Sequence, residues 1–196
     1  MKKEALKRIF EFIEEKEDHN VPFVWKWKNN IPLTEKDLNV KGSLYLNDSN
    51  ITSLPEGLKI SGWLDLSHSK IISLPEGLEV GDNLYLHYSK IKSLPQGLKV
   101  GNSLTLFQSK ITSIPKGLKV VGYLDLRRTN ITSLPKGLEV GGILHLAHCK
   151  ELSSLPKGLK VGGNLYIHNT PLTKYSDEEL KEMVKPGFIK GEIFRQ

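Results

Sequence analysis

The hydrophobic positions of this chain repeat at a fixed spacing. Each unit opens with two apolar residues separated by one variable residue: Leu44/Leu46, Leu64/Leu66, Leu84/Leu86, Leu104/Leu106, Leu124/Leu126, Leu144/Leu146 and Leu165/Ile167. Successive pairs lie 20 residues apart, and the last step is 21 residues. Such alternation predicts a brief strand with one side facing inward. A fixed period of this length predicts a solenoid, in which each unit buries its apolar edge by stacking on its neighbours.

The second half of each unit predicts an extended return arm. A small residue that follows each apolar pair is expected to face inward: Ser49, Ser69, Ser89, Ser109, Thr129, Cys149 and Thr170. An apolar residue and a proline come next, from Leu54-Pro55 in the first arm to Leu155-Pro156 in the last. Proline excludes a helix there, and the glycine two residues later eases a turn. Leu54, Leu58 and Ile60 of the first arm are expected to point inward.

Residues 1–42 depart from the repeat and predict an N-terminal cap. An apolar stripe over Leu6–Ile13 predicts a helix, and alternation over Phe23–Trp27 predicts a half-buried strand. Ile31–Leu33 and Leu38–Val40 read as a degenerate second half of a repeat. A solenoid needs its terminal coil covered, which is the role expected of this segment.

A second cap is predicted over residues 174–196, after seven repeats over residues 43–173. Ser176-Asp177-Glu178-Glu179 is a capping box that opens a short helix through Val184. The apolar residues between Phe188 and Phe194 predict a short strand that covers the last coil.

The unit Leu-x-Leu-x-x-(Ser/Thr/Cys)-x-Ile-x-Ser-Leu-Pro-x-Gly-Leu resembles the short bacterial class of leucine-rich repeat. The resemblance covers residues 43–173. It implies a leucine-rich repeat solenoid with a parallel β-sheet on the concave face, extended convex arms and helical caps at both ends. The usual ladder asparagine of that family is replaced here by Ser, Thr or Cys, so hydroxyl groups are expected to form the inner polar spine.

The family includes secreted effectors of enteric pathogens and proteins encoded by phages and prophages. The tail Met183–Gly191 looks like the terminal segment of the phage and prophage members. The ubiquitin-ligase domain that some effectors carry after their repeats is not expected here. The resemblance therefore implies a phage or prophage product that acts inside a bacterial cell.

Stacked strands bring equivalent side chains into columns, about 4.8 Å apart. Column one precedes the first apolar residue of each pair, column two lies between the two, and columns three and four follow the second. These 28 positions hold five of the six histidines and seven of the fifteen aromatic residues, but no lysine. Interfaces favour Tyr, Trp, Phe and Arg and are depleted in Lys and Glu. The preference of strands for aromatic residues explains this composition only in part.

A binding face is therefore predicted on the concave sheet. Its first four strands carry an aromatic patch formed by Trp63, Tyr85, His87, Tyr88 and Phe107. Its last strands carry a charged patch formed by Asp125, Arg127, Arg128, His145, His148 and His168. The predicted partner-binding residues are Tyr45, Trp63, Asp65, His68, Tyr85, His87, Tyr88, Phe107, Gln108, Tyr123, Asp125, Arg127, Arg128, His145, His148, Tyr166 and His168.

The leading interpretation is a non-enzymatic module that recognises a partner protein, and the resemblance implies an inhibitor of a bacterial defence or regulatory protein. A nucleotide or another phosphorylated small molecule is the alternative ligand, at Arg127, Arg128 and His148, because guanidinium binds phosphate bidentately. Nucleic acid is a third alternative, since the net charge is +6 and the pI about 9.2. That alternative needs the charges to cluster on one face. Self-association through the aromatic patch is also left open.

No catalytic residue, metal or cofactor is expected. Zinc needs three or four converging ligands, and no hydroxyl or thiol nucleophile is evident beside the histidines. Cys149 stands in a slot otherwise held by Ser or Thr and is expected to be buried and inert. A lone cysteine suits a reducing compartment, and no apolar run of about 18 residues provides a membrane span. The bacterial cytoplasm is the expected location.

Overall fold

The computed structural model describes residues 23–196, and the chain divides into two compact units, Met1–Leu38 and Asn39–Gln196. The second unit begins before the predicted boundary at residue 42. The helix predicted over Leu6–Ile13 lies outside the described residues. Within residues 23–196, no helix combines the length and the apolar character needed to cross a membrane.

In the first unit, residues 23–38 are described, and they form two short helices, α1 (Phe23–Lys28) and α2 (Glu35–Leu38). The strand predicted over Phe23–Trp27 is therefore wrong. Phe23 and Trp27 are four residues apart, which also places them on one side of a helix, and their rings stack at 6.0 Å. The Lys26 Nζ and the Asp37 Oδ1 form an ion pair of 2.8 Å within this unit.

The second unit is a parallel β-solenoid with a spacing of about 20 residues. Its first sheet has eight parallel strands in register: Leu44–Tyr45 (β2), Leu64–Asp65 (β4), Leu84–Tyr85 (β6), Leu104–Thr105 (β8), Leu124–Asp125 (β10), Leu144–His145 (β12), Leu165–Tyr166 (β14) and Ile193–Phe194 (β16). From β2 to β14 the chain makes six full turns. The predicted strands of the repeat are confirmed.

The return arms end in a second sheet, which the sequence reading did not separate from the arms. Its eight parallel strands are Asn39–Val40 (β1), Lys59–Ile60 (β3), Glu79–Val80 (β5), Lys99–Val100 (β7), Lys119–Val120 (β9), Glu139–Val140 (β11), Lys160–Val161 (β13) and Phe188–Ile189 (β15). β1 pairs with β3 residue for residue, as the degenerate repeat over Leu38–Val40 predicts.

The core lies between the two sheets and is filled by the repeated leucines. Leu54, Leu58 and Ile60 are buried, as predicted for the first arm. In the polar slot, the Ser89 Oγ donates to the Leu86 carbonyl at 2.6 Å, within its own coil. The same bond within a coil is made by Ser49, Ser69, Thr129 and Thr170, whereas the buried Ser109 Oγ has no hydrogen-bond partner among the described residues.

Cys149 is buried, as its slot predicts. Its Sγ donates to the Leu126 carbonyl at 3.0 Å and so bonds to the coil before its own. Burial raises the pKa of its thiol.

One rung of the second sheet is incomplete. β7 and β9 pair only through Val100 and Val120, whereas β5 with β7 and β9 with β11 pair through two residues each. Val121 follows β9 at a position that is Gly101 in the preceding coil. A Cβ at Gly101 would lie 1.9 Å from the Gly81 carbonyl oxygen, so a side chain at this position pushes neighbouring coils apart.

Val121 shows the result of that crowding. Its side chain is 67% exposed. In the next coil, the Gly141 N–H donates to the Val120 carbonyl at 2.8 Å. Among the described residues, Val121 makes no equivalent bond to the coil before it.

The C-terminal residues continue both sheets. A 3₁₀ helix over Pro171–Lys174 leads to α3 (Asp177–Val184). The predicted capping box is confirmed, because the Ser176 N–H donates to the Glu179 Oε2 at 2.8 Å and the Ser176 Oγ accepts from the Glu179 N–H at 3.2 Å. The single strand predicted between Phe188 and Phe194 is wrong: β15 joins the second sheet and β16 joins the first.

Candidate functional site

The outer side of the first sheet carries the rings that the sequence predicts there. We call this surface the ring face; it is formed by Tyr45, Trp63, His68, Tyr85, His87, Tyr88, Phe107, Tyr123, His145, His148, Tyr166 and His168. At the start of the sheet, the Tyr45 and Trp63 rings meet edge to face at 6.0 Å. Tyr45 is 63% exposed. Trp63 thus pairs with Tyr45, and the predicted aromatic patch begins one coil later.

Five rings from the coil of Trp63 and the two coils after it form one connected cluster. The His68 ring stacks on Tyr88 with 4.5 Å between centroids, and Tyr88 meets Phe107 edge to face at 5.1 Å. His87 touches His68, Tyr85 and Tyr88 at 5.6–6.5 Å. Burial lowers the pKa of His87, with the charge of Asp65 opposing the shift. These contacts hold a largely uncharged ring surface in place.

Asp125 and Arg127 form an ion pair in the middle of the face. The Arg127 Nη2 lies 2.6 Å from the Asp125 Oδ2, and the Arg127 Nε donates to both carboxylate oxygens at 2.9 and 3.1 Å. Asp125 is only 2% exposed. The Arg127 guanidinium also lies over the Phe107 ring at 4.9 Å. Arg127 is therefore held by Asp125 through its Nε and Nη2 atoms.

The last coils carry a second ring cluster around His145. The His145 Nδ1 and the Tyr123 hydroxyl lie 3.1 Å apart, and the His145 and Tyr166 rings are 4.6 Å apart. His145 therefore bonds to Tyr123, while the neighbouring Asp125 carboxylate binds Arg127. Tyr166 in turn stacks on Phe194 at 4.7 Å. Phe194 extends the face by one coil, although its sequence position suggested only a cover for the last coil.

Three imidazoles meet in this cluster. His168 lies 5.7 Å from His145 and 5.3 Å from His148, measured between ring centroids. The chain bends after Leu146, since His148 has a φ of 62°, and this brings the His148 ring close to His168. The His145 Nε2 and the His168 Nδ1 are buried without a hydrogen-bond partner in the described structure. Burial, together with the charge of Arg127, lowers the pKa of His145 to about 4, so this imidazole is neutral at pH 7.

Every column-four residue adopts the left-handed backbone conformation. The φ angles from Asp48 to Asn169 fall between 51° and 62°. Asn and Asp tolerate this region, whereas Tyr88, Gln108 and Arg128 adopt it at a steric cost. The backbone N–H of each of these three still donates to the next coil, at 2.9–3.0 Å. The backbone of these column-four residues therefore hydrogen-bonds to the next coil although its φ is positive.

Arg128 and His148 line a groove of about 420 Å³ beside the one-residue insertion. Asn130, Lys150 and Glu151 line the same groove. Burial lowers the pKa of His148, and the charges of Arg128, His168 and Lys150 act in the same direction. Arg128 and Lys150 are thus the cationic residues of this groove. Lys150 was not among the residues predicted for the charged patch.

Several column-one side chains serve the scaffold. The Ser43 Oγ accepts from the Trp63 N–H at 3.2 Å, and the Ser103 Oγ accepts from the Tyr123 N–H at 3.0 Å. Asp65 in column two accepts from the Ser67 N–H at 2.9 Å. These polar groups support local backbone, and Asp65 is only half-exposed, so they contribute less free surface than predicted.

The sequence reading missed a row of lysines just beyond column four. We call it the lysine edge; it consists of Lys70, Lys90, Lys110 and Lys150. All four are exposed. The signal was present in the sequence, because the four share one position of the repeat. Within residues 23–196, no three His, Cys, Asp or Glu side chains converge in a way that could hold a metal ion.

No protein-family model matches this chain. A comparison with curated proteins finds no match either. The repeat pattern and the geometry of the ring face therefore carry the functional argument.

Proposed function

We propose that this chain is a leucine-rich repeat protein of the short bacterial class, capped at both ends, that binds a partner protein through the ring face. The observation that carries the proposal is the composition of that surface. It gathers twelve aromatic or imidazole side chains and no lysine, on a chain that contains 28 Lys and Arg residues. Protein interfaces show the same enrichment in aromatic residues and the same depletion of lysine.

The ring contacts support this proposal because they preorganise the surface. Rings held by their neighbours lose little conformational freedom when a partner binds. Tyr45 and Tyr88 are 63% and 43% exposed, so both have area to bury against a partner. The charged residues Asp125 and Arg127 at the centre of the face already pair with each other, so aromatic and imidazole rings make up much of the surface around them. Such a surface suits a protein more than a highly charged ligand.

The biological setting follows from the sequence resemblance alone. The tail Met183–Gly191 looks like that of phage and prophage leucine-rich repeat proteins. A phage product of this kind without catalytic residues acts by binding. We therefore propose the bacterial cytoplasm as its site of action and a bacterial defence or regulatory protein as the partner that it inhibits.

A triple variant of ring-face tyrosines tests the binding face: Tyr45→Ala, Tyr85→Ala and Tyr88→Asn. Asparagine is chosen at position 88 because it tolerates the φ of 57° found there. Arg127 is kept, since its loss would leave the buried carboxylate of Asp125 unpaired. The immobilised wild type should capture a partner from lysate of the bacterial host, and the triple variant should lose that protein while it keeps a cooperative thermal transition.

The matched control changes three exposed residues of the outer arms, Glu76, Gln96 and Lys116, to alanine. This control should capture the partner as the wild type does. If the triple variant still captures the same protein as efficiently as the control, the ring face is not the binding surface.

A phosphorylated small molecule is the second candidate ligand, because the groove of Arg128, Asn130, His148 and Lys150 places cationic and amide groups on one concavity of about 420 Å³. Nucleotides at millimolar concentration should raise the melting temperature of the wild type, and Arg128→Asn with Lys150→Gln should abolish the shift. Absence of any shift with the wild type would remove this candidate.

A further inference from the structure

The lysine edge runs along one margin of the ring face. Lys70, Lys90 and Lys110 occupy the same position in three consecutive coils, and Lys150 occupies it two coils later. Consecutive coils stack at about 4.8 Å, so these lysines form one row on neighbouring coils, outside the strands. Like charges on neighbouring segments repel each other, and a bound anion relieves that repulsion.

The lysines of the second sheet show how this protein neutralises such a row elsewhere. Glu79 lies between Lys59 and Lys99, with Nζ–Oε1 distances of 3.7 and 3.0 Å. Glu139 likewise pairs with Lys119 and Lys160 at 3.0 and 2.9 Å. None of the four edge lysines has an ion-pair partner in the part of the chain that the structure describes.

Rings of column four lie close in sequence to these unpaired lysines. His68 and Tyr88 each stand two residues before an edge lysine, and Arg128 adds a further cation in the fifth repeat. From His68 to Lys150, neither column four nor the lysine edge contains a carboxylate. The Tyr88 ring is 43% exposed and stacks on His68 at 4.5 Å, which leaves ring surface available at the same margin.

We propose that this margin binds single-stranded nucleic acid, with the lysine edge and Arg128 along the phosphate backbone and Tyr88 and His68 stacking on bases. Proteins that bind single strands combine a cationic track with aromatic platforms, and both lie here on the same coils. A duplex keeps its base faces stacked inside, so the rings would have nothing to contact. A polyanion without bases would use the lysines but not the rings.

This surface shares His68 and Tyr88 with the ring face, but it does not require that face to bind a protein. Tyr85 and Tyr45 have no part in the nucleic-acid contact, and the edge lysines have none in the proposed protein contact. Either proposal can therefore fail alone.

The electrostatic half is tested with a fluorescein-labelled oligothymidylate of about 12 nucleotides, whose affinity is measured by anisotropy between about 50 and 200 mM salt. The edge variant changes Lys70, Lys90 and Lys110 to glutamine, and the control variant changes Lys59, Lys99 and Lys160 to glutamine. Both lower the net charge by three. Each phosphate contact contributes about 0.7 to the slope of log affinity against log salt, so the edge variant should lose about 2 from the slope.

Across that fourfold salt range, the smaller slope means that the edge variant loses about 20-fold less affinity than the wild type. The control variant should keep the wild-type slope, because its lysines are ion-paired in the second sheet. Equal slopes for the edge and control variants, or no binding of the oligonucleotide by the wild type at about 50 mM salt, would overturn the proposal.

The predicted stacking of bases on the ring is tested by replacing Tyr88. Loss of one stacking platform weakens single-strand binding by about 5- to 150-fold. Tyr88→Asn should therefore weaken binding within that range, and Tyr88→Phe should leave it unchanged. Heparin serves as the polyanion without bases and should bind Tyr88→Asn and the wild type equally. If Tyr88→Asn binds the oligonucleotide as tightly as the wild type, or loses as much affinity for heparin as for the oligonucleotide, the site is a cationic patch and not a nucleic-acid site.

Discussion

Gly141→Val reproduces the crowding that Val121 causes and tests its physical reason. A Cβ at position 141 would lie 2.3 Å from the Val121 carbonyl oxygen, which is closer than any atom pair can pack. The two coils must therefore separate. The 2.8 Å hydrogen bond from the Gly141 N–H to the Val120 carbonyl would break, and the pairing of Glu139 with Lys119 would be lost with it.

The magnitude follows from the bonds involved. Two backbone hydrogen bonds contribute about 1 kcal/mol each to the free energy of unfolding. Replacing glycine restricts the unfolded chain and returns about 0.4–1 kcal/mol. We expect a net loss of about 1–2 kcal/mol, which for a domain of this length lowers the melting temperature by about 2–8 °C.

Guanidinium chloride unfolding followed by circular dichroism measures this loss, and hydrogen exchange of the residue 141 amide locates it. The control is Thr132→Val, an isosteric change at an exposed position of the same coil. The reasoning is refuted if Gly141→Val unfolds at the same denaturant concentration as the control and keeps a protected amide. The converse change, Val121→Gly, should slow exchange at residue 121 as its missing rung closes.

Two further predictions concern the charged centre of the face. Arg127→Ala should lower the free energy of unfolding by about 2–3 kcal/mol, less than for a fully buried pair because Arg127 is partly exposed. Adding Asp125→Asn should restore most of that loss, and failure of this rescue in denaturant unfolding would contradict the assignment. His145 has a pKa of about 4 in the folded chain, below its ordinary 6.5. The unfolded chain therefore binds a proton that the folded chain excludes, and stability should fall as the pH drops from about 7 toward 4. His145→Gln should reduce the difference between melting temperatures at pH 7 and pH 5, and an unchanged difference would show that burial does not depress this pKa.

The sequence predicts the repeating scaffold well because burial leaves little choice there. Leu64 and Leu66 are fully buried, and so is Leu58 in the return arm. A period of 20 residues assigns each of them the same place in every coil. The strand predicted over Phe23–Trp27 failed because three aromatic residues at even spacing fit both a strand and a short helix, and only their packing decides.

The candidate site is less predictable because its properties depend on contacts between pairs of side chains. Arg127 and Asp125 each looked available for a ligand, but the two side chains bind each other. The column positions could be assigned from the sequence, whereas the ion pair depends on two side-chain conformations that no pattern encodes. Lys150 was not predicted because it lies two residues beyond column four, outside the four columns assigned to the face.

The left-handed backbone of column four has a consequence for how this surface can change. From Asp48 to His148, the backbone N–H of each column-four residue donates to the next coil at 2.9–3.0 Å, whatever its side chain. Tyr88, Gln108 and Arg128 share one conformation with Asp48 and Asn169. A substitution at this position therefore alters what a coil presents without altering how it folds, at a cost of about 1–2 kcal/mol for residues other than glycine, asparagine and aspartate. The side chain that each coil presents at this position can accordingly change independently of the other coils, while the backbone remains the same.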